Sequence, residues 1–214
     1  MGARSRTKSS DVSVMDLNNL HPTAVKLIDA TLAMLESQPI EKIGIEKVLE
    51  VTKIARSSLY HHFDNFPHLI ECAVAYRFVQ ETQTTIEHLR SVLDAATCKD
   101  TFKNAVLEMN KTLQAQSRSA IRMQRVVAFA STDKNQRFMN LLKNAQQNLT
   151  DEYAKILRSA RSNNWVRPDI DPQACAVFVQ AMTIGRIVDD VSEDQVMPDN
   201  WIDVSTKALT AILW

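Results

Sequence analysis

Residues 45–63 read IEKVLEVTKIARSSLYHHF, and this stretch decides the fold. Leu59 and Phe63 are four residues apart, which places them on one face of a short helix. Val48 and Ile54 add apolar side chains to the same small core. The stretch therefore predicts two short helices that pack on each other across a tight turn.

The opposite face of the second predicted helix is polar. It presents Arg56, Ser57, Tyr60 and His61, which carry a cation, a small hydroxyl, a phenol and an imidazole. An arginine can bond a phosphate or two acceptors of a guanine edge, and a phenol can donate to a phosphate oxygen. This arrangement is typical of a helix-turn-helix, because its second helix packs through one face and shows the other to the major groove.

Helical spacing continues on both sides of this stretch. Pro22 suits the first turn of an earlier helix, and Pro67 is placed to open a long helix that runs to about Ala95. We expect a three-helix, helix-turn-helix DNA-binding domain over residues 21–66 and a larger helical domain over residues 67–214. The chain is thus predicted to be all-α, with about nine helices in total.

Residues 1–20 precede the first predicted helix and are polar and aperiodic. Arg4, Arg6 and Lys8 give the first ten residues three positive charges and no acid. We interpret this segment as a flexible tail. An arm that touches phosphates or the minor groove is the functional alternative.

The run Ile54–Phe63 resembles the end of the helix-turn-helix in TetR-type repressors, and the break at Asp64–Ile70 fits as well. The resemblance implies a homodimer that binds double-stranded operator DNA and is released by a small-molecule effector, with residues 67–214 as the effector-binding and dimerisation domain. It also implies DNA contacts from the recognition helix, the turn before it and the start of the preceding helix. These positions are Gly44, Ile45, Glu46, Lys53, Ala55, Arg56, Ser57, Ser58, Tyr60 and His61.

Four positions depart from that family's usual pattern. A hydroxyl residue is common where Gly44 stands, glycine where Lys53 stands, serine or threonine where Ala55 stands, and lysine where Phe66 stands. A glycine at the turn would permit a backbone conformation that other residues avoid. These departures leave a second class open, which is a helical interaction protein with a non-functional DNA-binding head.

The penultimate predicted helix, residues 173–191, is apolar on nearly every side. A helix without a polar face is buried on two sides, and a second subunit is the natural partner for one of them. We therefore predict a dimer interface built from this helix and the last one. Its members are Phe178, Met182, Gly185, Arg186, Trp201, Leu209 and Trp214.

An effector pocket among the long helices follows from the resemblance. The inward aromatic and methionine side chains that we expect to line it are Phe102, Met109, Met123, Phe129, Tyr153, Phe178 and Met182. Separately, Arg118, Arg122 and Arg125 lie on one helical face. They form either a solvated or salt-bridged stripe, or a site for an anionic effector.

Composition excludes several other classes. Lysine and arginine number 25 and so do aspartate and glutamate, so DNA binding would need a local patch. Three glycines exclude a glycine-rich nucleotide loop in practice, and no HExxH or GxSxG motif occurs, so we predict no enzyme. The three cysteines have no zinc-binding spacing, and no apolar run suggests a signal peptide or a membrane span. We expect a cytoplasmic protein without metal or cofactor.

Overall fold

A computed structural model describes residues 20–38, 42–130 and 136–214, and within these ranges every regular element is helical. In the described part of the chain, nine α-helices have seven or more residues and a tenth has four, which confirms the predicted all-α class. The helices are α1 (Pro22–Ser37), α2 (Ile45–Thr52), α3 (Arg56–His62), α4 (Phe66–Ala95), α5 (Lys99–Gln114), α6 (Ser119–Ala130), α7 (Gln136–Ser162), α8 (Pro172–Gly185), α9 (Ile187–Asp190) and α10 (Pro198–Leu213). The predicted tail, residues 1–20, lies outside the described ranges except for its last residue.

The chain forms two compact units that divide after Ile70. We call the first unit the head and the second, which begins at Glu71, the body. The functional division at residues 66 and 67 stays a prediction. No helix within the described ranges is long and apolar enough to cross a membrane.

In the head, α1 packs against both α2 and α3. The residues that meet there are fully buried and come from all three helices. They include Leu27, Ile28, Val48, Leu59 and Phe63. Burying each large apolar side chain contributes about 1.5–3 kcal/mol, so this small cluster holds the three helices together.

The corner after α3 is fixed by local hydrogen bonds. The Asn65 side chain accepts from the backbone N–H of His68 at 2.8 Å, which caps the first turn of α4. The His68 ring accepts from the backbone N–H of Asp64 at 3.1 Å and packs edge-on against Phe63, with ring centroids 5.9 Å apart. The buried ring of His68 thus extends the head's core beyond α3.

In the body, α7 packs along α8, and α10 packs on α5. Phe102 is fully buried, and its ring lies 5.7 Å from that of Trp165 and 6.5 Å from that of Trp214. The indole N–H of Trp214 donates to the Trp165 carbonyl at 2.7 Å. The end of the chain is therefore tied to the segment between α7 and α8.

The start of α8 agrees with its sequence, but the helix ends earlier than predicted. Asp171 caps it through a 2.6 Å bond from the Ala174 N–H, and Pro172 follows at the first helical position. The predicted continuation to residue 191 is wrong, because α8 ends at Gly185 and α9 begins at Ile187. Glycine weakens a helix interior, and the break accompanies an arginine, Arg186, that is turned inward and buried.

Candidate nucleic-acid interface and effector cavity

The turn between α2 and α3 has the backbone that glycine favours, although its residue is lysine. Lys53 adopts φ 56° and ψ 28°, the left-handed region, and its N–H donates to the Leu49 carbonyl at 2.9 Å. A Cβ in this conformation costs about 1 kcal/mol. The departure at this position therefore keeps the turn's geometry and adds backbone strain.

The start of α2 is open. Gly44 caps the helix without a side-chain hydrogen bond, and a Cβ added there would meet nothing within 4 Å. The first backbone N–H groups of a helix have no partner within it, so those of Ile45 and Glu46 can bind a phosphate. Gly44 and Glu46 are exposed, whereas Ile45 is half-buried.

The structure divides α3 into two faces, as the spacing of its residues predicts. Leu59 is fully buried, and Phe63 directly after the helix is 1 % exposed. The other side presents the predicted polar residues. Ala55, Arg56, Ser57, Tyr60 and His61 are exposed, and Ser58 is half-buried. The side chain of Tyr60 is 48 % exposed. Aromatic side chains that only pack in a core are buried, so this exposure indicates another role.

An ion pair crosses the two helices of the motif. The guanidinium of Arg56 on α3 bonds the carboxylate of Glu46 on α2, and both side chains are largely exposed. In the absence of DNA, Glu46 therefore compensates the charge of Arg56. A DNA duplex that bound the guanidinium of Arg56 would have to displace the carboxylate of Glu46.

Three histidines lie together at the end of α3. The rings of His21 and His62 stack with centroids 5.1 Å apart, and His61 meets His62 edge-on at 5.0 Å. Burial lowers the pKa of His62, and the neighbouring His61 and His21 lower it further. Across the described ranges, no group of three potential ligands has the geometry to hold a metal ion.

A cavity with both polar and apolar walls lies in the body among α4 to α8, and we call it the polar cavity because three arginines line it. Its lining includes all three arginines of the predicted stripe together with residues from α4, α5, α7 and α8. The lining residues are Thr85, Leu113, Arg118, Ile121, Arg122, Arg125, Leu149, Tyr153, Gln180, Thr183 and Ile184.

Only one of the three arginines forms a salt bridge within the described part of the chain. Arg122 is 2 % exposed and binds Asp190 in two-pronged fashion, with Nε–Oδ2 at 2.6 Å and Nη2–Oδ1 at 2.7 Å. Its third nitrogen donates to the carbonyls of Leu113 and Ala115. Arg122 is thus fully engaged, and it agrees with the salt-bridged form of the first interpretation rather than with a free site for an anion.

A second, apolar cavity lies among α4, α5, α7, α8 and α10. Of the seven predicted effector residues, Phe102, Met109 and Tyr153 line it, and Tyr153 also lines the polar cavity. The remaining lining residues, which sequence reasoning missed, are Leu89, Val106, Asn110, Leu113, Ile156, Leu157, Val179, Leu209 and Leu213.

The other four predicted effector residues line neither cavity. Met123 and Phe178 are each 40 % exposed, and Met182 is half-buried. Phe129 packs edge-on against Phe78, with centroids 5.5 Å apart. Helical periodicity predicted that these side chains face the interior. It does not show whether such a side chain lines a cavity, packs against its neighbours or is exposed.

The predicted dimer residues also separate into two groups. Phe178 and Gly185 are exposed, and Met182, Trp201 and Trp214 are half-buried. Arg186 and Leu209 are buried within the chain, at 1 % and 3 % exposure, so neither can form an exposed interface. Leu209 faces the apolar cavity, while Arg186 bonds Gln116 at 2.9 Å and stacks over Trp201.

Comparison with known proteins supports the architecture. No family model matches the chain. The helix-turn-helix transcriptional regulator UidR of Escherichia coli K12 is 18 % identical over 173 residues, which cover 81 % of this chain and 84 % of UidR.

Two solved structures share the fold over nearly their whole length. GusR of Salmonella enterica has a TM-score of 0.66 at 17 % identity, covering 90 % of this chain and 95 % of GusR. A TetR transcription regulator of Haloarcula marismortui has a TM-score of 0.68 at 10 % identity, covering 90 % and 98 %. The chain therefore has the fold of TetR-family transcriptional regulators, which confirms the resemblance indicated by residues 54–63.

Proposed function

We propose that the chain is a transcriptional repressor that binds operator DNA through the exposed face of α3. The observation that carries this proposal is the division of α3. Leu59 holds the helix on the head, while Arg56, Ser57, Tyr60 and His61 stand outward with groups that bind phosphates and base edges. The E. coli relative and the fold neighbours are named as transcriptional regulators, which agrees with this role rather than with an enzyme.

The working form in this proposal is a homodimer in the cytoplasm. On α8, the side chains of Val177 and Phe178 are 54 % and 40 % exposed, and on α10 that of Val204 is 59 % exposed. Large apolar side chains exposed together mark an interaction site, and we assign these three to the dimer interface. A second subunit would cover them and present two recognition helices to half-sites about 34–36 Å apart.

Regulation follows from a ligand that prefers one body conformation. A small molecule bound in the body would favour a state in which the two heads do not match the half-site spacing. Its differential affinity for the two states sets how far DNA binding falls. The cavities lined by Tyr153 are the site that we assign to it.

The test is to sequence genomic fragments that the purified protein retains and to measure binding to them at several salt concentrations. We expect one recurring, inverted-repeat motif and a steep fall of log K with log salt, because phosphate contacts release counterions. Metabolites would then be screened for release of the fragment. A helical interaction protein with a non-functional head would enrich no motif, and that result would refute the proposal.

A further inference from the structure

Two cavities of unlike chemistry meet in the body. Leu113 and Tyr153 line both the polar and the apolar cavity, so these two side chains lie between the two spaces. A ligand that fills both therefore needs one polar and one apolar end. The inference below rests on the proposed function, since it names the class of effector.

Most polar groups of the polar cavity are already satisfied. The Thr85 hydroxyl donates to the Glu81 carbonyl at 2.8 Å, and the Thr183 hydroxyl donates to the Val179 carbonyl at 2.9 Å. The Gln180 amide donates to Thr150 and to its own helix. With Arg122 paired to Asp190, these groups leave a ligand few donors.

The donors that remain belong to two arginines and a tyrosine. Arg125 donates one bond to Thr82 at 3.2 Å and stacks on Phe78, but its Nε is buried without a hydrogen-bond partner. The side chains of Arg118 and Tyr153 make no hydrogen bond or salt bridge to any residue that the structure describes. Burial raises the pKa of Tyr153 to about 12, so its hydroxyl keeps its proton at neutral pH.

The charge around these donors is positive. Within the described part of the chain, the carboxylate of Glu81 interacts electrostatically with both Arg118 and Arg125. Burial raises its pKa, so its negative charge is poorly stabilised there. The guanidinium groups of Arg77, Arg118 and Arg125 all act on this one carboxylate, so positive charge exceeds negative charge around it. The buried Nε of the half-buried Arg125 also lacks an acceptor. An anion would offset both deficits.

The apolar cavity makes the opposite demand. Phe102, Val106 and Met109 contribute apolar surface, and the side-chain NH2 of Asn110 already donates to the hydroxyls of Ser205 at 2.9 Å and Thr206 at 3.3 Å. A hydrocarbon or aromatic group would match this mostly apolar lining. Methionine side chains adapt to ligands of different shape.

We propose that the effector is an organic carboxylate with an apolar body. Its carboxylate binds Arg118, Arg125 and the Tyr153 hydroxyl in the polar cavity, and its body passes Leu113 into the apolar cavity. Inorganic or short organic anions could also bind the two arginines, but they have no apolar group to place in the apolar cavity.

The experiment compares matched pairs of probes by titration calorimetry and thermal unfolding of the full chain. The pairs are benzoate with benzamide, 4-phenylbutyrate with 4-phenylbutyramide, and decanoate with decanamide, and acetate serves as the anion alone. We expect at least one carboxylate to raise the Tm and to bind about tenfold or more tightly than its amide, because charge-assisted hydrogen bonds are the stronger kind. Acetate should bind more weakly than that carboxylate.

Variants locate the effect. Arg118→Gln and Arg125→Gln should each weaken the preferred carboxylate about tenfold and leave its amide unchanged. Arg158→Gln, an exposed arginine on α7, is the control and should change neither. Circular dichroism checks folding, and Arg118→Gln alone decides if the Arg125 variant does not fold.

The inference is overturned if no carboxylate binds better than its amide, or if the preference survives both arginine variants. Operator binding measured on the same samples separates this failure from that of the proposed function. Loss of the carboxylate preference with intact motif-specific DNA binding refutes the ligand class alone. Absence of any preferred DNA motif refutes the repressor itself.

Discussion

The head and the body obtain their functional surfaces in different ways. The polar face of α3 follows from residues within one short stretch, because Leu59 and Phe63 fix which side is buried. The cavities of the body need side chains from helices that are far apart in sequence, such as Leu89 on α4 and Leu213 on α10. A surface encoded locally can be read from spacing, whereas a cavity depends on how distant helices pack.

Phe63→Ala should have the largest expected effect, which is loss of the head's structure while the body stays folded. Removing a buried phenylalanine costs about 3–5 kcal/mol, and Phe63 belongs to the buried core of the head. Hydrogen exchange should show that α1–α3 lose protection and that operator binding fails, while the amides of α7 stay protected. Phe102→Ala is the matched control, with loss of protection in the body. Equal loss in both units for each variant would contradict two separate cores.

Asp190→Asn should destabilise the body by about 3–5 kcal/mol, because it leaves the buried charge of Arg122 without its partner. The double replacement Arg122→Met with Asp190→Leu should recover most of the loss, since no unpaired charge remains. Urea denaturation measures both free energies of unfolding. If Asp190→Asn lowers the free energy of unfolding by less than 1 kcal/mol, the ion pair between Arg122 and Asp190 does not hold α6 to α9.

Lys53→Gly should stabilise the head by about 1 kcal/mol, because glycine adopts the left-handed backbone at this turn without a Cβ clash. The midpoint of head unfolding reports the gain. Lys47→Gly, within α2, should lower stability by a similar amount. Destabilisation by Lys53→Gly would mean that the lysine side chain contributes more than the backbone strain costs.

Glu46→Gln should strengthen operator binding about threefold, because Arg56 no longer has to leave an ion pair that is worth at most about 1 kcal/mol. Filter binding or fluorescence anisotropy at low salt measures the change. Glu50→Gln removes an exposed carboxylate from the same helix without touching Arg56 and should have less effect. If Glu46→Gln and Glu50→Gln change operator affinity equally, the effect comes from the net charge of the head and not from the ion pair with Arg56.

The histidine cluster should make the head slightly less stable in acid. Because the pKa of His62 is lowered in the folded state from its ordinary value of 6.5, the unfolded chain binds more protons. Stability is then complete above pH 6.5 and falls as pH drops toward the folded pKa. Unfolding midpoints from pH 8 to pH 5 should show this slope, and His62→Gln should reduce it. His88→Gln, an exposed position on α4, should leave it unchanged.

The sequence predicted those features that depend on neighbours along the chain. Helix positions, the Asp171 cap and the exposed face of α3 all depend on residues a few positions apart. The end of α8 was missed because Arg186 turns inward to meet Gln116 on a distant segment. Asn110 and Gln180 were missed as cavity residues, since periodicity does not reveal where packed helices leave a space.

The most direct test of the central claim is the operator affinity of Arg56→Ala measured beside Arg158→Ala, with the selected operator and its single-base variants as probes. The account predicts that Arg56→Ala loses about tenfold or more in affinity and relaxes preference at one base position, while Arg158→Ala changes neither. Tyr60→Phe in the same series should weaken all probes about equally. Unchanged affinity in both Arg56→Ala and Tyr60→Phe would show that the outward face of α3 does not read DNA.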